Sequence, residues 1–314
     1  MSTVLVIDAA CDLPPGFIDD RNIKLLPIAI RVDDQTYTDV KDAQKLTDFY
    51  AQDRLGRNHD AESIPYSSEE IERLFLDELV TEYDFALVQT VSRKRSPIYD
   101  NATKASHAIL RSYHDVREAA GRDGNFGMRV MNSGTLFCGQ GVLAAFTSDM
   151  IERGKAKNEI LKLADAMRQR IYAYLVAPDV YYIRERARKK GDESVGMLTA
   201  LVAKSLDIVP ILSARGDDTF PVAKGRGFDA SVDRLLRYAI RQLEHGLLTP
   251  YVVVSIAGDL SGLESHEGFK ALQSTAASKG VTVLSCVMGL TGGLNVGPGS
   301  ICVAFAAEDH EFDG

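Results

Sequence analysis

The feature that most narrows what this chain can fold into is an alternation in its first half. Short apolar runs are each followed by a stretch with helical spacing. Residues 4–7, 24–32, 85–91 and 129–131 read as strands. Between them Ile71, Leu74, Phe75 and Leu79 recur as one helix face, opened by Ser67 and Glu70 at capping-box spacing. Residues 43–53, 98–112, 139–154 and 158–170 also read as helices. Strands joined through helices give a mostly parallel sheet covered on both faces. Three local readings sit within this frame. Asp33-Asp34 turns 24–32 into 35–38 as a β-hairpin, Asp12 before Leu13-Pro14-Pro15 caps a helix, and 55–66 is polar and irregular.

The second half has a different rhythm. Residues 171–177 form a strand, 180–190 a basic helix and 195–206 an apolar helix. Residues 208–213 and 220–224 flank Arg215-Gly216-Asp217-Asp218 as an antiparallel hairpin. A helix at 230–244, a strand at 251–256, a helix at 264–279 and a strand at 281–287 follow, then a glycine-rich loop at 289–299 and a closing strand at 301–305. The reading is a two-domain α/β protein. Residues 1–160 carry a mostly parallel sheet with flanking helices, and residues 161–314 a mixed sheet with helices.

Composition removes several function classes. With 314 residues the chain has enough surface to bury a core without metal or disulfide. Its formal net charge of −8 repels phosphate backbones and argues against general nucleic-acid binding. No apolar run approaches the ~20 residues of a membrane-spanning helix. Cys11, Cys138, Cys286 and Cys302 form no CxxC pair, which suits small buried hydrophobes in a reducing cytoplasm. The start of the chain runs straight into a strand, without the pattern of a signal peptide.

Familiar catalytic templates are absent: no GxSxG, HExxH or GxxxxGK[ST] occurs. The six histidines are scattered, and no catalytic or metal-ligating set emerges. The loops after strands carry more information, because ligands of open α/β sheets bind beyond the strands' carboxyl ends. Ser92-Arg93-Lys94-Arg95-Ser96 places three cations and two hydroxyls at a strand-to-helix junction, a site for a carboxylate or phosphate or else a solvated basic loop. The loop 289–299 holds five glycines and can wrap a head group with backbone amides or simply turn the chain. Asn295 is its one side chain able both to donate and to accept.

These segments, in this order, resemble the DegV family. Asp8-Ala9-Ala10-Cys11-Asp12-Leu13-Pro14 is similar to its Asp-Ser-x-x-Asp-Leu-Pro, and Ser63-Ile64-Pro65 to its Thr-Ser-Gln-Pro-Ser. Ser92, Ser96, Tyr99 and Ala102 match Ser-Ser-x-x-Ser-Gly-Thr-Tyr-x-x-Ala. Asn132-Ser133-Gly134-Thr135 resembles Asp-Ser-x-x, and Ile208-Val209-Pro210-Ile211-Leu212 resembles Ile-Lys-Pro-Ile-Leu. Gly293-Leu294-Asn295-Val296-Gly297-Pro298-Gly299 is similar to Gly-Thr-His-Thr-Gly-Pro-Gly.

The resemblance implies a non-catalytic carrier, without cofactor, that buries one fatty acid in an interdomain tunnel. The carrier presents the head group to a partner fatty acid kinase. Carried onto this chain, it implies Ser63, Ser92, Ser96 and Gly293 as ligand-binding residues, to which loop placement adds Arg93 and Asn295. The departures fall at the head group. Glu62 stands at the family's Thr, Arg93 at its second Ser, Pro97-Ile98 at its Gly-Thr and Asn295 at its His. Asp192-Glu193-Ser194-Val195 stands at its Gly-Gly-Arg-Ile, so that arginine is missing. Arg93, Lys94 or Asn295 are the donors available to replace what is lost. Two other functions stay open on the same residues. One is an enzyme acting on a small phosphorylated or carboxylated metabolite at 92–96. The other is an interaction module that has lost its lipid.

Overall fold

The computed structural model describes residues 2–189 and 208–314, so the expected apolar helix at 195–206 and the segment 192–195 lie outside the described residues. The first half runs β1 (Thr3–Asp8), α1 (Pro15–Asp20), β2 (Lys24–Leu26), β3 (Ile28–Val32), β4 (Gln35–Thr38), α2 (Ala43–Ala51), β5 (Ala61–Pro65) and α3 (Ser68–Leu74). It continues with β6 (Phe85–Thr90), α4 (Ile98–Ala108), α5 (Tyr113–Ala119), β7 (Gly127–Asn132), α6 (Cys138–Glu152) and α7 (Lys157–Met167). The second half runs β8 (Ile171–Val176), α8 (Tyr181–Lys189), β9 (Ile208–Arg215), β10 (Asp218–Arg226), α9 (Phe228–His245), β11 (Tyr251–Ile256) and α10 (Leu260–Ser265). It ends with α11 (Glu267–Ser278), β12 (Thr282–Val287), α12 (Leu290–Val296) and β13 (Ile301–Ala306).

These strands form three sheets. One is entirely parallel, in the order β2-β1-β6-β7, as the alternation predicted. The second is mixed, in the order β10-β9-β8-β13-β11-β12, with only β11 and β12 parallel. The third is a small antiparallel sheet, β4-β3-β5. The mixed sheet takes only strands after residue 170, the other two only strands before 133, and residue 160 falls inside α7.

Several local expectations need correction. The single strand at 24–32 is two, because Pro27 between them has no N–H to donate. Its first part pairs with β1 and its second turns away into the small sheet. The stretch 55–66 is not wholly irregular: β5 alternates in burial and pairs Ser63 with Ile30. The helix at 264–279 breaks at His266, whose ring accepts a bond from the Gly268 amide at 3.1 Å and caps α11. The glycine segment 289–299 holds a helix, α12. Asp12 caps nothing, since Pro14 occupies the N-cap of α1 and no side chain caps it.

The helix α6 holds the sheets together. It is apolar on most of its circumference, the pattern of a helix buried between layers. It packs on β1 and β6 of the parallel sheet and on β8, β11 and β13 of the mixed sheet. Its Val142 and Leu143 share one core with Leu5 and Ile7 on one side and Ala173, Val253 and Ala304 on the other. Close approach requires Gly141. A methyl group there would collide with the Asp12 carbonyl oxygen and come within 3.1 Å of Val253 Cγ1. Gly141→Ala is therefore expected to cost about 1–3 kcal/mol in urea unfolding. Gly16→Ala, which meets no atom within 4 Å, should show no such loss.

Candidate functional site

A cavity of about 950 Å³, partly open to solvent, lies beyond the carboxyl ends of β1, β6 and β7. That is where a parallel sheet places its ligands. Much of its wall is apolar: Ala10, Ile28, Val91, Leu136, Phe137, Leu175, Ile183, Leu212 and Val296. The polar lining is Ser63, Arg95, Ser96, Arg184, Arg186, Thr219, Thr291 and Asn295. A second cavity of about 230 Å³ shares Leu136, Phe137, Leu175, Leu212 and Thr219 with the first and continues to Ala173, Ala214 and Cys302. Together their lining is largely apolar, and its cations, Arg95, Arg184 and Arg186, all belong to the first cavity.

The expected site residues divide into two groups. Ser63, Ser96 and Asn295 line the cavity. The Asn295 amide donates to the Thr291 carbonyl at 2.6 Å, and Ser96 Oγ accepts from the Ile98 amide at 3.3 Å. Ser92, Arg93 and Gly293 do not belong to this lining. The Ser92 hydroxyl donates to Asp217 Oδ1 at 2.7 Å, and the Asn132 amide donates to both oxygens of that carboxylate. Lys94 pairs with Asp218 at 2.7 Å. The basic loop expected to take a foreign anion thus receives the chain's own hairpin turn. Arg93 is exposed and lies over the Tyr99 ring, 5.4 Å from its centre. Gly293 leaves room for Tyr50, whose hydroxyl donates to the Met288 and Gly289 carbonyls. Glu62 pairs with Arg31.

The sequence reading missed Arg184, Arg186 and Thr291 as lining residues, taking 180–190 for a solvated basic helix. A signal was present, for Arg186 follows Ile183 by three residues and shares its helix face. Its Nε donates to the Leu294 carbonyl at 3.2 Å and its Nη1 to the Ala61 carbonyl. Burial pushes this guanidinium below its ordinary pKa.

Beneath the cavity sits a buried ionic cluster. Asp12 Oδ1 lies 3.4 Å from Lys41 Nζ and accepts the Gly289 amide at 3.1 Å, while Oδ2 accepts the Ser255 hydroxyl at 2.7 Å. Asp39 stands 3.7 Å from the same ammonium. Burial raises the Asp12 carboxyl above the ordinary carboxylate range, and Lys41, Ser255 and the Gly289 amide pull it partly back. Burial by itself would lower Lys41, but the Asp39 and Asp12 carboxylates outweigh it and raise the ammonium. All four cysteines are buried and free.

The family model described as "Uncharacterised protein, DegV family" matches residues 2–308. The chain belongs to the DegV family. A DegV domain-containing protein of Xanthomonas campestris pv. campestris is 41% identical over 308 residues, covering 98% of each chain. Among solved structures, a DegV lipid binding protein from Thermotoga maritima is similar with a TM-score of 0.76 at 19% identity, covering 99% of this chain and 100% of that one. The Streptococcus pneumoniae Fatty Acid Kinase (Fak) B3 protein loaded with linoleic acid is similar with a TM-score of 0.73 at 15% identity, covering 98% and 100%. The α/β fold, with its parallel and mixed sheets, is that of these DegV structures.

The ionic cluster supports a test of its own. Lys41→Met leaves two buried carboxylates facing each other without their cation, a loss of about 3–5 kcal/mol at neutral pH. Asp12 then has its folded pKa raised further above 3.8. The folded state takes up a proton where unfolded aspartates are still ionised, so acid favours folding of this variant. Urea unfolding should show its deficit against the unsubstituted protein narrowing as pH falls from 7 to about 4.5. A deficit that stays constant or widens contradicts this.

Proposed function

We propose that this DegV protein binds one fatty acid, or a closely related acyl anion, in a channel formed by the two cavities described above. It presents the head group to a partner kinase and performs no chemistry on it itself. The observation that carries this reading is the shape and polarity of the space. A largely apolar cavity shares five lining residues with a second one against β8 and β9, and cations line only the first. The names of the similar structures support it, one a lipid binding protein and one loaded with linoleic acid. The kinase partner rests on the Fak designation of the pneumococcal protein. In the same reading the ligand lies at the junction of two domains that divide near residue 160. Ser63, Ser96 and Asn295 line its path, no cofactor takes part, and the protein works in the cytoplasm.

Energetics assign separate tasks to the two ends of the ligand. Burying ~14 methylenes gives roughly 11 kcal/mol of gross transfer energy at about 0.8 each. One charge-assisted hydrogen bond contributes about 1.5–3 kcal/mol net. The tail therefore supplies most of the affinity, and the head group decides which acyl compound is accepted. Changes at the family's head-group positions leave lipid binding intact on this account.

Mass spectrometry of the organic extract from freshly purified protein is expected to find one fatty acid per chain. Absence of lipid, together with failure to bind added fatty acid, would overturn the proposal. Leu212 belongs to both cavities. Leu212→Trp should block the channel and weaken palmitate binding by about tenfold or more in a fluorescent-fatty-acid displacement assay, the equivalent of two or more lost methylenes.

A further inference from the structure

We infer that Arg186, and not Ser92 after β6, fixes the ligand's anionic head group. The inference rests on the acyl-anion reading above. Arg186 is half-buried, lines the cavity and forms no ion pair among the described residues. Its partners are two backbone carbonyls, Leu294 on α12 and Ala61 on β5, which orient the guanidinium without cancelling its charge. A guanidinium has five N–H donors, so this fork retains donors for a ligand. A positive charge taken out of water calls for an anion.

The surroundings of this arginine are suited to receive one. Ser63 follows Ala61 by two residues and so lies on the same face of β5, and it lines the cavity. Thr291 lies one helical turn before Leu294 on α12 and also lines the cavity. Its hydroxyl oxygen is buried and makes no hydrogen bond among the described residues. Arg184, exposed and also lining the cavity, adds a second positive charge on the same helix. In the loop after β6 Ser92 is spent on Asp217 and Lys94 on Asp218, which leaves Arg95 and Ser96 as that loop's polar contribution to the cavity wall. The head group is therefore a carboxylate gripped by a planar fork, with Thr291 donating one further bond to it.

The test compares palmitic acid with hexadecanol, which has the same tail and no charge, by displacement of a fluorescent fatty acid. The unsubstituted protein should prefer the acid. Arg186→Gln should weaken palmitate binding about 10- to 100-fold while hexadecanol changes by less than about threefold. Ser92→Ala should change palmitate by less than about threefold. Retained hexadecanol affinity establishes that the variant's channel is folded. If Arg186→Gln does not fold, Thr291→Val decides, with an expected loss of roughly three- to tenfold for the acid alone. An unchanged preference for acid over alcohol in Arg186→Gln, or in Thr291→Val when only that variant folds, overturns the inference and leaves the acyl reading standing. So does a loss on Ser92→Ala as large as that predicted for Arg186→Gln. Failure of the unsubstituted protein to bind either compound overturns the acyl reading and this inference with it.

Discussion

The contact on which the rest of the molecule depends is the buried pairing of Asp12 with Lys41. Asp12 follows the first strand of the parallel sheet, and Lys41 follows the last strand of the β3–β4 hairpin in the small sheet. The other partners of that carboxylate, Ser255 and the Gly289 amide, belong to the mixed sheet and the turn after it. One side chain thus ties three sheets at a single point. A buried ion pair of this kind adds little net stability over a well-packed apolar substitute, because desolvation offsets the attraction. Its value here is geometric. It holds the segment of Ala10 and the start of α12, both of which contribute to the cavity lining, at one junction.

The same geometry explains glycines that look, in sequence, like a flexible loop. A side chain at Gly289 would strike the Lys41 ammonium and the Asp39 carboxylate. One at Gly293 would strike Tyr50. These positions are small because neighbouring side chains fill the space, and α12 forms despite two internal glycines because its faces are packed. The helix then turns Thr291 and Asn295 towards the cavity. Where a head group was expected to be wrapped by loose backbone, the protein presents the polar face of an ordered helix.

Much of the fold was legible in the sequence, because the hydrophobic period of each long segment agrees with its environment. The capping box at Ser67 and Glu70, the parallel sheet and the β9–β10 hairpin followed from local pattern alone. Features set by tertiary contact did not. The short strand β5 exposes Glu62 and Ile64 in alternation, and its pairing with β3 is set by contacts made outside the segment itself. Asp12 has the spacing of a cap, yet burial and Lys41 claim it. Ser63, Ser96 and Asn295, named from the sequence, line the cavity. Ser92 was assigned to the ligand because nothing local reveals that Asp217, 125 residues away, accepts its hydroxyl bond. Arg186 was read as one charge among five on a basic helix, and only the packing of α8 on α12 turns it inward.

The central claim is that an acyl chain lies in the channel with its anion at α8 and its tail under the mixed sheet. A crystal structure with a fatty acid brominated at its terminal carbon tests this most directly, because the bromine's anomalous signal marks the tail independently of the carboxylate density. The account predicts bromine beside Ala173, Ala214 and Cys302 and a carboxylate within hydrogen-bonding distance of Arg186. Bromine at the Arg186 end, or a carboxylate seated on Ser92 with Asp217 displaced, would contradict it.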